Sequence, residues 1–234
     1  MYDDVLLLVH PWVAPTFVSV VDPEWSTQRI SEQVDRDVDR VVGNRAEWHI
    51  QFEFVGTGVI QGDRVDRILV TCIPRGAPII CEMLGSPQSE VRCTIATIAS
   101  LLSGQDVWLP NPQGAASVTA AIGWYGDHIE VSVHQEGSLR FSGFLEEAGS
   151  ETGAARLDSL VASAGLQNSE ISSVVLYGHS QGAWDVREAD VFSRAQVTWL
   201  RPSDLFAAMP QTIKDNSAFV PVAAGALNRL LSHV

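Results

Sequence analysis

The stretch "AAIGWYGDHIEVSVHQEGSLRFSGFL", Ala120 to Leu145, decides the fold. From His128 onward apolar and polar residues alternate in large part, the period of a strand with one face in a core, and Gln135-Glu136-Gly137 interrupts the alternation where a hairpin turns. "VTAAIGW", Val118 to Trp124, comes just before as a more continuous apolar strand. Behind it "ARLDSLVASAGL" has helical spacing with Gly165 as its stop, followed by a strand at Val174 to Tyr177 and a glycine turn. A charged helix over "AWDVREADVFSR", a strand near Ala195 to Trp199 and a last helix near Phe219 to Leu231 complete the order β-β-β-α-β-α-β-α.

Upstream the pattern is less regular. Val5 to Val9 reads as a buried strand and "TFVSVV", Thr16 to Val21, as a second extended segment. Asp22-Pro23 opens a helix that recurs at Ile30, Val34, Val38 and Val41 and stops at Gly43-Asn44, with a solvated outer face from Glu32 to Arg40. Residues 48–60 and 66–73 are adjacent strands joined through Gln61-Gly62-Asp63. "RGAPIICEMLG" and "EVRCTIATIASLLSG" read as a short and a longer helix. "GQDVWLPNPQGAAS", with two prolines and two glycines, marks a linker, which divides the chain into 1–103, a linker at 104–116, and 117–234.

Composition excludes several functions. A chain of 234 residues with 46% hydrophobic residues buries a real core. Its formal charge of −13 repels phosphate backbones and anionic lipid, so nucleic acid is not an expected partner. Three cysteines, Cys72, Cys81 and Cys93, have no metal-type spacing and point to a reducing compartment. The six histidines are scattered without HxxxH spacing, so no metal is expected. "MYDDVLLLVHPWVAP" has neither the basic start of a signal peptide nor the length of a membrane span, so direct membrane insertion is not expected.

"GHSQG", Gly178 to Gly182, spells the serine-hydrolase turn, with Ser180 as the nucleophile. That reading needs a later acid and histidine at strand ends, and the one later histidine is His233, the penultimate residue. The antiparallel hairpin before the motif also stands where a hydrolase runs parallel β-α units. A serine esterase acting through Ser180 is therefore the alternative function rather than the leading one.

The element order and the stretches from Ala120 to Leu145, from Ile171 to Gly182 ("ISSVVLYGHSQG") and from Phe219 to Leu231 resemble actin-like pilus-assembly proteins of the PilM type. They also resemble the related cytoplasmic GspL-type domains of type II secretion. The first half, with its charged helix, "WHIQFEFVGTG" and "RILVTCIPRGAP", is similar to the middle region of the same family, so the resemblance spans about residues 5 to 232. It implies an α/β fold of the actin-like ATPase, ribonuclease-H-like kind, with two subdomains of mixed sheets and the N-terminal phosphate hairpin missing.

The resemblance also implies a nucleotide-cleft remnant at Gly123, Gly126, Asp127, Gly178, His179 and Gly182. Gly123 stands where the second phosphate hairpin has an aspartate, Trp124 and Tyr125 are bulky beside it, and His179 replaces a second glycine in the adenosine turn. The expectation is a non-catalytic protein without a required cofactor, with ATP and Mg²⁺ at most weakly held. The implied role is a cytoplasmic scaffold at the inner membrane that holds the cytoplasmic tail of a bitopic assembly protein; a homodimer is compatible with it. Trp12 and Trp25, each near a proline, are the expected partner contacts, while Trp108, Trp124 and Trp199 are expected in the core.

Overall fold

A computed structural model describes residues 5–86, 89–103, 118–146, 150–166, 171–179, 185–206 and 209–232. The expected linker at 104–116, with Trp108, and the sites Ser180 and Gly182 lie outside the described residues, as does His233. The chain divides into two compact units, Met1–Ala96 and Thr97–Val234.

The first unit holds two sheets. Strand β1 (Val5–Val9) ends in a turn in which Val13 and Ala14 donate to the His10 carbonyl, and β2 (Thr16–Val21) follows. Helix α1 (Thr27–Val41) is capped by Ser26, whose hydroxyl accepts from the Arg29 amide, rather than by Asp22. Asp22 instead closes a tight turn by accepting from the Glu24 amide. Strands β3 (Trp48–Ile60) and β4 (Asp63–Pro74) form a hairpin through Gln61 and Gly62, both at positive φ, as a type I′ turn requires. The sheet order is β2-β4-β3, fully antiparallel, and α1 covers one face with Val34 and Val38 against Val21, Ile68, Val70 and Cys72.

Helix α2 (Pro78–Leu84) follows, and then the structure departs from the sequence reading. "EVRC" does not begin the longer helix. Ser89–Cys93 is strand β5, paired in parallel with β1 from Val5↔Ser89 to Val9↔Cys93. The two early strands therefore belong to different sheets: β1 joins β5, and β2 joins β4. Ile80, Met83 and Leu84 of α2 pack with Val9, Ala14, Ile73 and Val91.

Helix α3 (Thr94–Ser103) crosses the division between the units. In the second unit β6 (Val118–Trp124), β7 (His128–Gln135) and β8 (Ser138–Glu146) form the expected antiparallel meander, turned at Glu136 and Gly137 with positive φ. Helix α4 (Ser150–Ser163), β9 (Ile171–Gly178) and β10 (Gln196–Trp199) follow, and the two strands extend the sheet in parallel, giving the order β10-β9-β6-β7-β8. The short helices α5 (Pro202–Leu205) and α6 (Gln211–Lys214) lead into α7 (Val220–Ser232).

One face of this sheet packs Ile122, Trp124, Val131 and Val174 against Leu157 and Val161 of α4. The other packs Ala121, Val175 and Tyr177 against Ile98 and Leu101 of α3 and Val220, Ala223 and Ala224 of α7. Trp124 is buried and Trp199 partly buried against the α4 side, as expected of core tryptophans.

A second departure is the charged segment before β10. Within the described residues it is not an α-helix but two single 3₁₀ turns, Val186–Glu188 and Asp190–Phe192. The Asp158 carboxylate accepts from the Asp190 and Val191 amides at 3.1 and 2.8 Å, while Val186, Val191 and Phe192 enter the core. A carboxylate that satisfies two amides ends a helical run before it can propagate.

Candidate functional site

The carboxyl ends of the parallel strands β6 and β9 meet at Trp124 and Gly178, where an open α/β sheet places a ligand. Gly178 has φ +95°, and a Cβ there would run into the backbone oxygen, nitrogen and carbonyl carbon of Trp124. The His179 amide then donates to the Trp124 carbonyl at 2.5 Å. Glycine is required here by both conformation and close approach. This is the geometry expected of a compact turn at the first glycine of the motif.

Beside that turn lies a cavity of 420 Å³ lined by Gly178, His179, Gln211, Thr212, Asp215, Asn216 and Ser217. Its size suits a small polar molecule. Among the described lining residues there is no lysine or arginine, and Asp215 adds an acidic group. The described lining offers hydrogen bonds, for which a nucleoside has partners.

Gly123 is shaped by its neighbours. In register it lies between Tyr177 on β9 and Glu130 on β7, so the three side-chain positions form one row across the sheet. A Cβ on Gly123 would strike the Tyr177 ring at 2.6 Å and the Tyr125 ring at 2.9 Å. The absent side chain lets Tyr177 lie across the strand, and its hydroxyl makes a long contact of 3.4 Å with the fully buried Glu130 carboxylate. An aromatic ring thus fills the space over the position where the resemblance places a phosphate contact.

The turn between β6 and β7 holds the other expected residues. Gly126 adopts φ +73° and is exposed. Asp127 is exposed, but its carboxylate is bound to His128 Nδ1 at 2.7 Å. The His128 ring stacks on Tyr125 with centroids 5.0 Å apart, and its Nε2 lies 3.6 Å from Glu130. Burial works against the His128 charge, but hydrogen bonds and attraction from Glu130 and Asp127 outweigh it and raise its pKa. Asp127 thus has a partner of its own within the turn.

The structure brings Gly123, Gly126, Asp127, Gly178 and His179 to one end of one sheet, with Tyr125 and His179 edge to face at 6.3 Å. Sequence reasoning missed Tyr177 and Glu130. A charged residue at an inward position of an alternating strand, "HIEVSV", was the one available signal for Glu130. The tryptophans expected to meet a partner differ from each other. Trp12 is exposed in the turn after β1, whereas Trp25 is half-buried against the α1 core, with the Arg29 guanidinium 4.4 Å over its ring.

No protein-family model and no curated protein matches the sequence. Solved structures do match in shape. A Bacteroides thetaiotaomicron VPI-5482 protein with actin-like ATPase fold and unknown function aligns at TM-score 0.57 and 11% identity, over 88% of this chain and 73% of that one. A PilM-PilN type IV pilus biogenesis complex aligns at TM-score 0.60 and 11% identity, over 96% of this chain and 79% of that one. The cytoplasmic domain of EpsL, an inner membrane component of the Vibrio cholerae type II secretion system, aligns at only TM-score 0.41 and 12% identity, too loosely to carry an argument. The chain has the actin-like ATPase fold, as the resemblance implied. The hydrolase alternative gains nothing from these similarities, and the antiparallel β6-β7-β8 meander stands where that fold runs parallel units.

Proposed function

We propose that this chain is a non-catalytic scaffold of an inner-membrane assembly platform of the type IV pilus or type II secretion kind, holding the cytoplasmic tail of a membrane-anchored partner. The observation that carries the reading is the Tyr177 ring over Gly123, the position at which the resemblance leads one to expect a phosphate contact. The similarity in shape to the PilM-PilN complex supports the assembly role. Among the described residues no helix is long and apolar enough to cross a membrane, so the membrane contact is assigned to a partner. On this reading no cofactor is required, and ATP with Mg²⁺ is at most weakly held. A homodimer is compatible with this role, and nucleic acid is not a partner.

Affinity recovery from detergent-solubilised membranes tests the scaffold. The wild type is expected to recover one specific membrane protein, and Trp12→Ala to recover less of it. Trp25→Ala is a poorer probe because it also removes packing under α1. Recovery of no partner would sink the scaffold, and equal recovery by Trp12→Ala would move the contact elsewhere.

Nucleotide gives an independent check. In a functional cleft, ATP at a hundred times its dissociation constant would add about 2.7 kcal/mol, or about 5–10 °C in melting temperature at this chain length. Millimolar ATP with Mg²⁺ is expected to shift this protein by less than about 1 °C. A shift of several degrees would show that the cleft still works.

A further inference from the structure

Strand β3 is an outer strand of the β2-β4-β3 sheet, and among the described residues β4 is its one strand neighbour. Its regular part is Trp48–Phe54, because the register with β4 slips between Phe54 and Gly56. Those seven residues, "WHIQFEF", include neither lysine nor proline, the usual guards of an exposed edge. Their one acid, Glu53, is bound to Arg92. Phe52 and Phe54 are 38% and 60% exposed, although their partners Val70 and Ile68 in the next strand are buried.

The position of α1 explains this exposure. The helix starts after β2 ends at Val21, which lies opposite Asp66 and hence level with Thr57 of β3. It finishes beside the start of β3, where Arg45 binds Asp35 at 2.6 Å and the Trp48 carbonyl at 2.9 Å. It therefore runs the length of the sheet on the phenylalanine face and packs near Trp48 and Ile50 at the start of β3, but leaves Phe52 and Phe54 uncovered. At 3.6 residues per turn, the flank that carries Asp35 also carries Glu32 and Asp39, all exposed. A shelf results with an apolar floor and a wall of three carboxylates and one cation, Arg45, which is paired with Asp35, so the wall remains net acidic.

We propose that the free edge of β3 is a strand-addition site for one extended protein segment in which apolar residues alternate with lysine or arginine. Backbone amides and carbonyls along Ile50–Phe54 supply the hydrogen bonds, since those of Trp48 are already held by Arg45, and alternate side chains of the segment stack beside Phe52 and Phe54. Charge sets the sign. The α1 flank is acidic and the chain as a whole carries −13, so a second copy or an acidic segment is repelled and a cationic one is drawn in. The inference rests on the scaffold reading only for the source of the segment: the cytoplasmic stretch next to a membrane span, where lysine and arginine gather.

The probe is a capped synthetic peptide of about eight residues alternating valine and lysine, titrated calorimetrically into the full chain. Two controls accompany it: the same peptide N-methylated at alternate residues, and a valine-glutamate twin. The lysine peptide is expected to bind, both controls to fail, and Phe54→Lys to weaken binding at least about tenfold. Equal binding of the N-methylated peptide overturns strand addition, equal binding of the acidic twin overturns the charge selection, and unchanged affinity in Phe54→Lys overturns the location. A dimer of the free chain that Phe54→Lys dissolves also overturns the proposal, since a second copy would then occupy the edge. The membrane recovery separates this inference from the scaffold reading. Equal recovery of a partner by Phe54→Lys removes the edge site and leaves the scaffold, whereas peptide binding without any membrane partner keeps the edge site and removes its assigned source.

Discussion

Gly178→Ala is expected to cost at least about 3 kcal/mol of stability, the sum of a left-handed backbone conformation and a backbone collision. The added methyl would meet the Trp124 carbonyl oxygen, nitrogen and carbon, which are main-chain atoms of the adjacent strand and cannot rotate aside as a side chain would. Relief requires β6 and β9 to part at their ends, which breaks the His179 to Trp124 hydrogen bond and disturbs the fit of Tyr177 over Gly123. Gly165 is the control. It has φ +71° and open space within 4 Å of where a methyl would sit, so Gly165→Ala should cost only the conformational part, about 1 kcal/mol. Urea unfolding followed by circular dichroism measures both, and equal losses at the two positions would show that the close approach to Trp124 is not real.

Acid should destabilise the protein well above the ordinary carboxylate range, through one histidine. His134 is wholly buried on β7; its Nε2 bonds Ser132 Oγ at 3.0 Å, and its Nδ1 has no hydrogen-bond partner among the described residues. Burial pushes its pKa down to about 3. In the unfolded chain the same imidazole takes a proton near pH 6.5, so its contribution is intact above that value and is lost as pH falls toward 3. The slope is about 1.4 kcal/mol per pH unit, or about 2 kcal/mol between pH 6.5 and 5.

His128 is shifted the other way. Its contribution is complete below the unfolded value and declines as pH rises through the raised folded value, so it adds no slope on the acid side. Asp185, held below its usual value by hydrogen bonds from Arg187, acts only at lower pH, where carboxylates titrate. Urea midpoints at pH 7, 6 and 5 should therefore fall steeply for the wild type and more gently for His134→Gln. Parallel curves for the two would show that His134 is not the titrating group.

The parts legible in the sequence were those whose cause is local. The boundaries of β6 and the turn at Glu136-Gly137 follow from apolar runs and from positive φ, which neighbouring residues determine. Strand β5 was not legible. "EVRC" has period two for only four residues, runs directly into a helical pattern, and is held by a parallel partner near the other end of its unit. The 3₁₀ turns before β10 were hidden for a related reason, since the carboxylate that stops the helix is Asp158, on α4.

The site shows the same division. Gly178 announces a turn by its identity, but that its neighbour must be the Trp124 backbone follows only from the β6-β9 register. Gly123 reads in sequence as the loss of an aspartate. In the structure it is also a gain of room, which the Tyr177 ring occupies.

The β1-β5 pairing bears on how the chain is made. A ribosome extends a protein at about 5–20 residues per second, so several seconds separate the appearance of Val5–Val9 from that of its partner Ser89–Cys93. The whole β2-α1-β3-β4 sheet emerges in that interval and can close first, because its strand pairs and its packing under α1 are already present. Until β5 arrives, the nascent "VLLLV" is an apolar strand without its partner, which leaves it open to pairing with other chains during that interval.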